Sequence, residues 1–186
     1  TAVLDVSGGA SARGAEADGG QIAIKAGHSA SVAEGALLDV SAALLRGAPS
    51  GTVKGDAGGI NLQVNTAVPA GVPEDTVSGK LILAGTLRGF DFRRGGKLAI
   101  GGLRSLWIGE PTAQVPQALQ SGLQIAPTFF SEGGFGTFAL QTKGDIVVAD
   151  HTRIAPRLVN LSEPVNSSQI NVGRAGPTGS AVAAET

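Results

Sequence analysis

A pair of glycines followed by an alternating apolar strand occurs four times, beginning at Gly19 (GGQIAI), Gly58 (GGINLQV), Gly95 (GGKLAI) and Gly133 (GGFGTFAL). The intervals are 39, 37 and 38 residues. Self-similarity at a near-constant period of this size marks a solenoid, in which no unit can bury its own apolar face and each does so against its neighbours. The first and third copies match closely, with Ile22 and Ile24 corresponding to Leu98 and Ile100. Alternation sends Ile22 and Ile24, and likewise Leu81 and Leu83, inward, and turns Ala23 and Ile82 outward.

A second element is interleaved with the first. Leu4-Asp5-Val6-Ser7 returns as Leu38-Asp39-Val40-Ser41, and a looser echo, Val148-Ala149-Asp150-His151 and then Ile154-Ala155, follows the fourth glycine pair. Each repeat thus holds two strand-turn elements, which reads as two coils of roughly 19 residues apiece. Roughly nine to ten such coils fill the chain and stack at about 4.8 Å each into a rod about 45 Å long. The expected fold is all-β, a parallel β-helix whose short strands pair with those of the coil below. Glycines at its corners supply positive φ, and Asp5 with Ser7, like Asp39 with Ser41, bonds the backbone of a turn.

Composition agrees and narrows the possibilities. The 29 glycines and the mostly small aliphatic hydrophobics (42% hydrophobic in all) suit short strands and tight turns. Net charge is −1, with 14 basic and 15 acidic residues scattered, so no basic stripe exists for a phosphate backbone and nucleic acid is not an expected partner. No apolar run approaches the roughly 18 residues of a transmembrane helix, and the absence of tyrosine weighs against a girdled membrane barrel. The lack of cysteine argues against disulfide staples and structural zinc. Thr1 falls inside a strand pattern with no leader before it, so the chain reads as part of a longer one.

All six phenylalanines and the single tryptophan lie between Phe90 and Phe138, so the early coils are expected to be narrow and aliphatic and the later ones to hold rings. Residues 1–161 read as a shaft, interrupted by proline-containing loop insertions near 67–78 and 110–121. Residues 162–186, rich in Ser, Gly, Pro and Ala, read as a strap or flexible tail.

Two segments resemble a known family. Gly85-Thr86-Leu87-Arg88-Gly89-Phe90 with Arg94-Gly95-Gly96-Lys97-Leu98 is one. Phe129-Phe130-Ser131-Glu132-Gly133-Gly134-Phe135-Gly136 with Ile154-Ala155-Pro156-Arg157 is the other. Both look like stretches of the large haemagglutinin-like adhesins of the filamentous haemagglutinin family, exoproteins of two-partner (type V) secretion, and the resemblance runs from about Ala2 to Leu161. It implies a right-handed β-helix, export by an outer-membrane transporter and a secreted or cell-surface location. It further implies a role in adhesion, aggregation or biofilm formation through contact with a host-cell, sister-cell or matrix surface, carbohydrate included. The Asn-Pro-Asn motifs of the family's secretion domain do not occur in the sequence, so the transporter is expected to act on another region of the protein.

Parallel β-helices also serve as polysaccharide lyases and hydrolases, which need facing carboxylates or an acid beside a basic residue. The best local cluster is Arg88, Asp91, Arg93 and Arg94 beside Phe90 and Phe92, a surface able to bind an acidic sugar. Strand alternation puts Asp91 and Arg93 on one face and the two phenylalanines on the other, which reads as an ion-paired edge over a phenylalanine core. His28 and His151 have no ligand partners nearby in sequence, and no calcium nonapeptide, P-loop or nucleophile elbow occurs. No catalytic residue, metal or cofactor is assigned. Asn160 and Asn166 head two sequons and are candidate glycosylation positions. The expected function is a structural adhesin shaft, not an enzyme, with a carbohydrate-active β-helix and a self-assembling filament subunit as alternatives.

Overall fold

The computed structural model describes residues 2–11, 14–16, 18–48, 51–67, 78–111, 113–155 and 161. The loop insertion near 67–78 (but for its end residues) and the stretch 162–186 lie outside them. The described chain is an all-β solenoid of parallel strands, with three walls.

The first wall is continuous. It stacks β4 (Gln21–Lys25), β9 (Gly59–Gln63), β12 (Gly96–Leu103) and β15 (Phe135–Thr142) in that order, every pair parallel. Its register aligns Ile22, Ile60, Leu98 and Phe138 in one column, and Ile24, Leu62, Ile100 and Leu140 in the next. Ile60, Leu62, Leu98 and Ile100 are at most 1% exposed. These β-branched and γ-branched chains suit a pleated surface whose inner face is dry. A second wall stacks β1 (Val3–Asp5), β6 (Leu37–Asp39) and β11 (Thr86–Arg88), aligning Leu4, Leu38 and Leu87.

These registers revise the expected coil. Ile22 and Ile60 are 38 residues apart and lie in adjacent strands, and so do Leu4 and Leu38. The glycine-pair strand and the Leu-Asp-Val-Ser strand are therefore two walls of one coil, not two successive coils. One turn takes the whole repeat, the described chain makes about three turns, and the first wall is about 14 Å tall instead of 45 Å.

The third wall is interrupted. Its lower part pairs β5 (Ala30–Val32) with β10 (Leu81–Leu83); its upper part stacks β14 (Leu123–Ile125), β13 (Leu106–Ile108) and β16 (Ile146–Val148). Among the described residues β10 has no strand above it, and β11 has none either; a short 3-10 helix at Pro127–Ser131 follows β14 where a strand of the second wall would stand. That helix brings Phe129 and Phe130 against Phe138, with Phe135 beside them, in edge-on or tilted contacts of 5.1–6.3 Å between ring centroids. The rings thus gather in the upper coils, above an aliphatic lower interior. Two antiparallel ribbons, β2 (Gly9–Ser11) with β3 (Gly14–Glu16) and β7 (Leu44–Ala48) with β8 (Gly51–Lys54), leave the corners between the second wall and the first.

The glycine pairs serve these corners by close approach more than by unusual dihedrals. A Cβ at Gly58 would collide with the carbonyl of Gly20 in the coil below. Within the four repeated pairs, Gly95, Gly133 and Gly134 have positive φ, at 70 to 75°.

Inward and outward positions separate energetically. Leu98→Ala is expected to lower unfolding free energy by about 2–5 kcal/mol, whereas Ile82→Ala, at an outward position that is 54% exposed, should change it by less than about 0.5 kcal/mol. Urea titrations followed by far-UV circular dichroism would measure both, and equal losses would reject the assignment of faces.

Candidate functional site

The segment after β11 carries the one cluster of acid and arginines that the sequence singles out. It is not a strand. Between Gly89 and Gly95 the chain bends, and alternation no longer governs where side chains point. Asp91 turns inward and is 1% exposed, while Arg88, Arg93 and Arg94 are exposed. The Asp91 carboxylate accepts the backbone N–H groups of Arg93 and Gly95, both at 2.7 Å. Its backbone carbonyl accepts the N–H of Leu161 at 2.6 Å. Asp91 and Arg93 therefore do not share a face, and Asp91 clamps the turn that delivers the Gly95-Gly96 corner into β12.

The arginines diverge. Arg88 lies level with Asp39 in the parallel ladder, and Asp39 with Asp5, so one acid-acid-arginine row crosses the outer side of the second wall. Arg93 reaches Asp56 at 3.4 Å, both side chains about two-thirds exposed (66% and 68%), a pair worth little in water. The cluster is thus one buried turn clamp and three outward cations, not an acid-lined cleft.

The other singled-out residues have local tasks. Asp5 and Asp39 each accept the N–H of the serine two residues on, at 2.9 Å, the expected turn in both copies. The Ser7 hydroxyl, and next its backbone N–H, hold the Asp5 carboxyl below its ordinary value. His28 lies between two hydroxyls, with Nδ1 3.1 Å from Ser29 Oγ and Nε2 2.9 Å from Ser78 Oγ, and so links a turn of one coil to a turn of the next. His151 is exposed, with φ at 60°. Asn160 and Asn166 lie outside the described residues. Among the described residues no group of three His, Cys, Asp or Glu side chains is placed to hold a metal, and no helix is long and apolar enough to cross a membrane.

Two features were not singled out from sequence. Asn65 is 3% exposed with φ at 53°. Its Nδ2 donates to the carbonyls of Gly79 and Gly102, at 3.0 and 2.8 Å, while its Oδ1 accepts the Gly79 N–H at 2.9 Å. A single amide thereby satisfies three backbone groups in a dry interior, which is what a buried polar side chain needs. The signal was its place just beyond the inward Leu62 and Val64 at a strand end. The second feature is Trp107, which alternates outward between Leu106 and Ile108 yet is only 7% exposed. Leu119, Ala113 and Val115, from the loop at 110–121, cover it together with Val147 and Ala149. That loop folds down onto the wall as a small second core.

Comparison with family models, with curated proteins and with solved structures gave no match to this chain.

The turn clamps have measurable weight. Asp91→Ala leaves two part-buried backbone donors without their acceptor, and an unfolding free energy lower by about 1–3 kcal/mol is expected in urea titration; a loss under about 0.5 kcal/mol would mean that the turn holds without the carboxylate. Asp5 has the opposite visibility, since it is exposed and its effect depends on pH. Its folded pKa lies below the unfolded 3.8, so its contribution is complete above that value and disappears as pH falls through the lowered one. Asp5→Asn should therefore flatten the acid limb of the stability profile below about pH 4, measured as Tm against pH, and an unchanged limb would refute the bond's effect.

Proposed function

We propose that this chain is a shaft segment of a large bacterial adhesin of the filamentous haemagglutinin type, a right-handed β-helix held at the cell surface or released into the medium. In this role it spaces and displays loops that contact a host cell, a sister cell or a matrix, supporting adhesion, aggregation or biofilm formation. An outer-membrane transporter acting on another region of the protein exports it. The right hand follows from the general preference of parallel crossover connections, and the family from the residues around Gly85–Leu98 and Phe129–Gly136.

The observation that carries the reading is the architecture of the interior. Its stability is spread over stacked columns and a parallel ladder, which is how a spacer built from repeats is made. Asp91, the acid on which a carbohydrate-active alternative depends, is committed to two backbone N–H groups. A second reading, end-to-end assembly into a filament, has support of its own. Leu4, Ile146 and Val148 are 46–48% exposed, although their partners in the same columns, Leu38, Leu106 and Ile108, are buried, and such open edges pair readily.

Antibodies raised against the chain are expected to label intact cells of the producing bacterium and to detect the protein in its culture medium. Labelling confined to permeabilised cells would overturn the adhesin reading. Turnover of polygalacturonate or heparin by the purified chain, lost in a folded Asp91→Asn variant, would replace it with the enzyme.

A further inference from the structure

On the third wall two strand edges face each other unpaired. β10 bonds to β5 below it and β14 to β13 above it, but no ladder joins β10 to β14. In a parallel pair, successive residues bond to alternate sides. Ala30 N–H donates to the Lys80 carbonyl at 3.0 Å and Ala84 N–H to the Val32 carbonyl at 2.8 Å. Ile82 therefore serves β5, and Leu81 and Leu83 turn their backbone groups to the open side. Leu123 N–H donates to the Ser105 carbonyl at 3.0 Å and Gly109 N–H to the Ile125 carbonyl at 3.2 Å. Gln124 therefore turns its backbone groups to the same opening from above. On that side none of the three has a backbone partner among the described residues.

The opening is a groove of about 420 Å³. An extended chain takes roughly 3.3 by 4.8 by 10 Å per residue, about 160 Å³, so the groove holds roughly three residues, the length of each strand beside it. Leu81 and Leu83 line one lip, Leu123 and Ile125 the other, and Phe129 stands toward the second wall. There the groove meets a second hollow of about 240 Å³ that reaches Leu98 in the core. Glu132, which is exposed, is the one charged residue lining either space. Unpaired N–H and C=O groups on both lips call for a ligand with donors and acceptors at strand spacing. An acyl chain would fill the apolar floor but leave those groups stranded. An extended peptide satisfies both lips and sends alternate side chains inward, and a basic residue in it complements Glu132.

We infer that the groove between β10 and β14 takes an extended segment of a partner polypeptide, apolar at alternate positions and flanked by a lysine or arginine, as an added strand of the third wall. This goes beyond the adhesin proposal and does not rest on it.

The test is NMR on the whole chain with the peptide acetyl-Lys-Val-Thr-Val-Thr-Lys-amide, following amide hydrogen exchange residue by residue. Saturating peptide is expected to slow exchange at Leu81, Leu83 and Gln124 by about tenfold or more. The same peptide N-methylated at both valines, which closes one of its edges, should leave exchange unchanged. Gln124→Pro takes no bond from the ladder with β13, because that N–H points to the opening, but its ring obstructs the lip. With an unchanged melting temperature it should weaken binding about tenfold or more, the scale of losing one or two backbone hydrogen bonds. Glu132→Gln should weaken it less, and mainly at low salt. No binding of the peptide, equal binding of the N-methylated form, or full binding by folded Gln124→Pro would each overturn the proposal. Slow exchange at the three residues before any peptide is added would overturn it too, by showing that the chain already covers its own groove. Protection that rises with protein concentration alone would assign the groove to a second copy instead. Its failure is separable from that of the adhesin reading: surface labelling of cells without peptide binding removes only the site, and peptide binding by a protein confined inside cells removes only the adhesin.

Discussion

The hydrogen bonds between β9 and β12 set the geometry of everything around them. Along Ile60–Gln63 and Leu98–Gly101 the two strands run parallel in strict register, which fixes one turn at 38 residues and places Ile60 under Leu98 and Leu62 under Ile100. Once those columns are aligned, the rest of each coil must fit whatever chain length remains. Excess is expelled at the corners, as the ribbons β2–β3 and β7–β8, or folded back onto the third wall, as the loop at 110–121. Where the remainder is short, as between β11 and β12, a single carboxylate closes the turn.

Close packing between coils imposes a second constraint, visible in the glycines. Gly89-Phe90 of one coil lies against Gly134-Phe135 of the next, and the pairs interlock. A side chain at Gly89 would strike the ring of Phe135, and one at Gly134 would strike the ring of Phe90. Each glycine makes room for the other coil's phenylalanine. The interior can therefore widen to hold rings in its upper part without forcing the walls apart, and the change from an aliphatic to an aromatic filling takes place within one turn.

Much of this was legible in the residues. The alternation at Ile22–Ile24 and Leu81–Leu83, the equivalence of Ile22 with Leu98 and the Asp-x-Ser turns all follow from period and residue type, and the structure has each of them. The coil length was misread because two similar elements alternated, and periodicity does not distinguish two walls of one coil from two successive coils; only pairing does. At Asp91 the chain bends, so strand alternation does not hold there, and the burial of this acid depends on backbone N–H groups that sequence does not place. Asn65 looked like any polar residue at a strand end, since its value lies in carbonyls 14 and 37 residues away. The cover over Trp107 was more accessible, because a tryptophan at an outward position of a wall needs something to bury it.

The interruption of two walls has a mechanical meaning. Among the described residues, the strand ladder between the second and third turns runs only along the first wall; on the other two sides β10 and β11 face β14 and a 3-10 helix across side chains, with a backbone bond from Gly89 to Gly133 at the corner. Hydrogen-bonded strands resist being pulled apart, whereas apolar side chains slide and part with less resistance. A load that opens this junction would therefore meet least resistance on the side of β10 and β11, with the ladder of β9 and β12 as the axis of flexure. The junction between these two turns is in this respect hinge-like, tied by backbone along one wall and held by side chains on the opposite side.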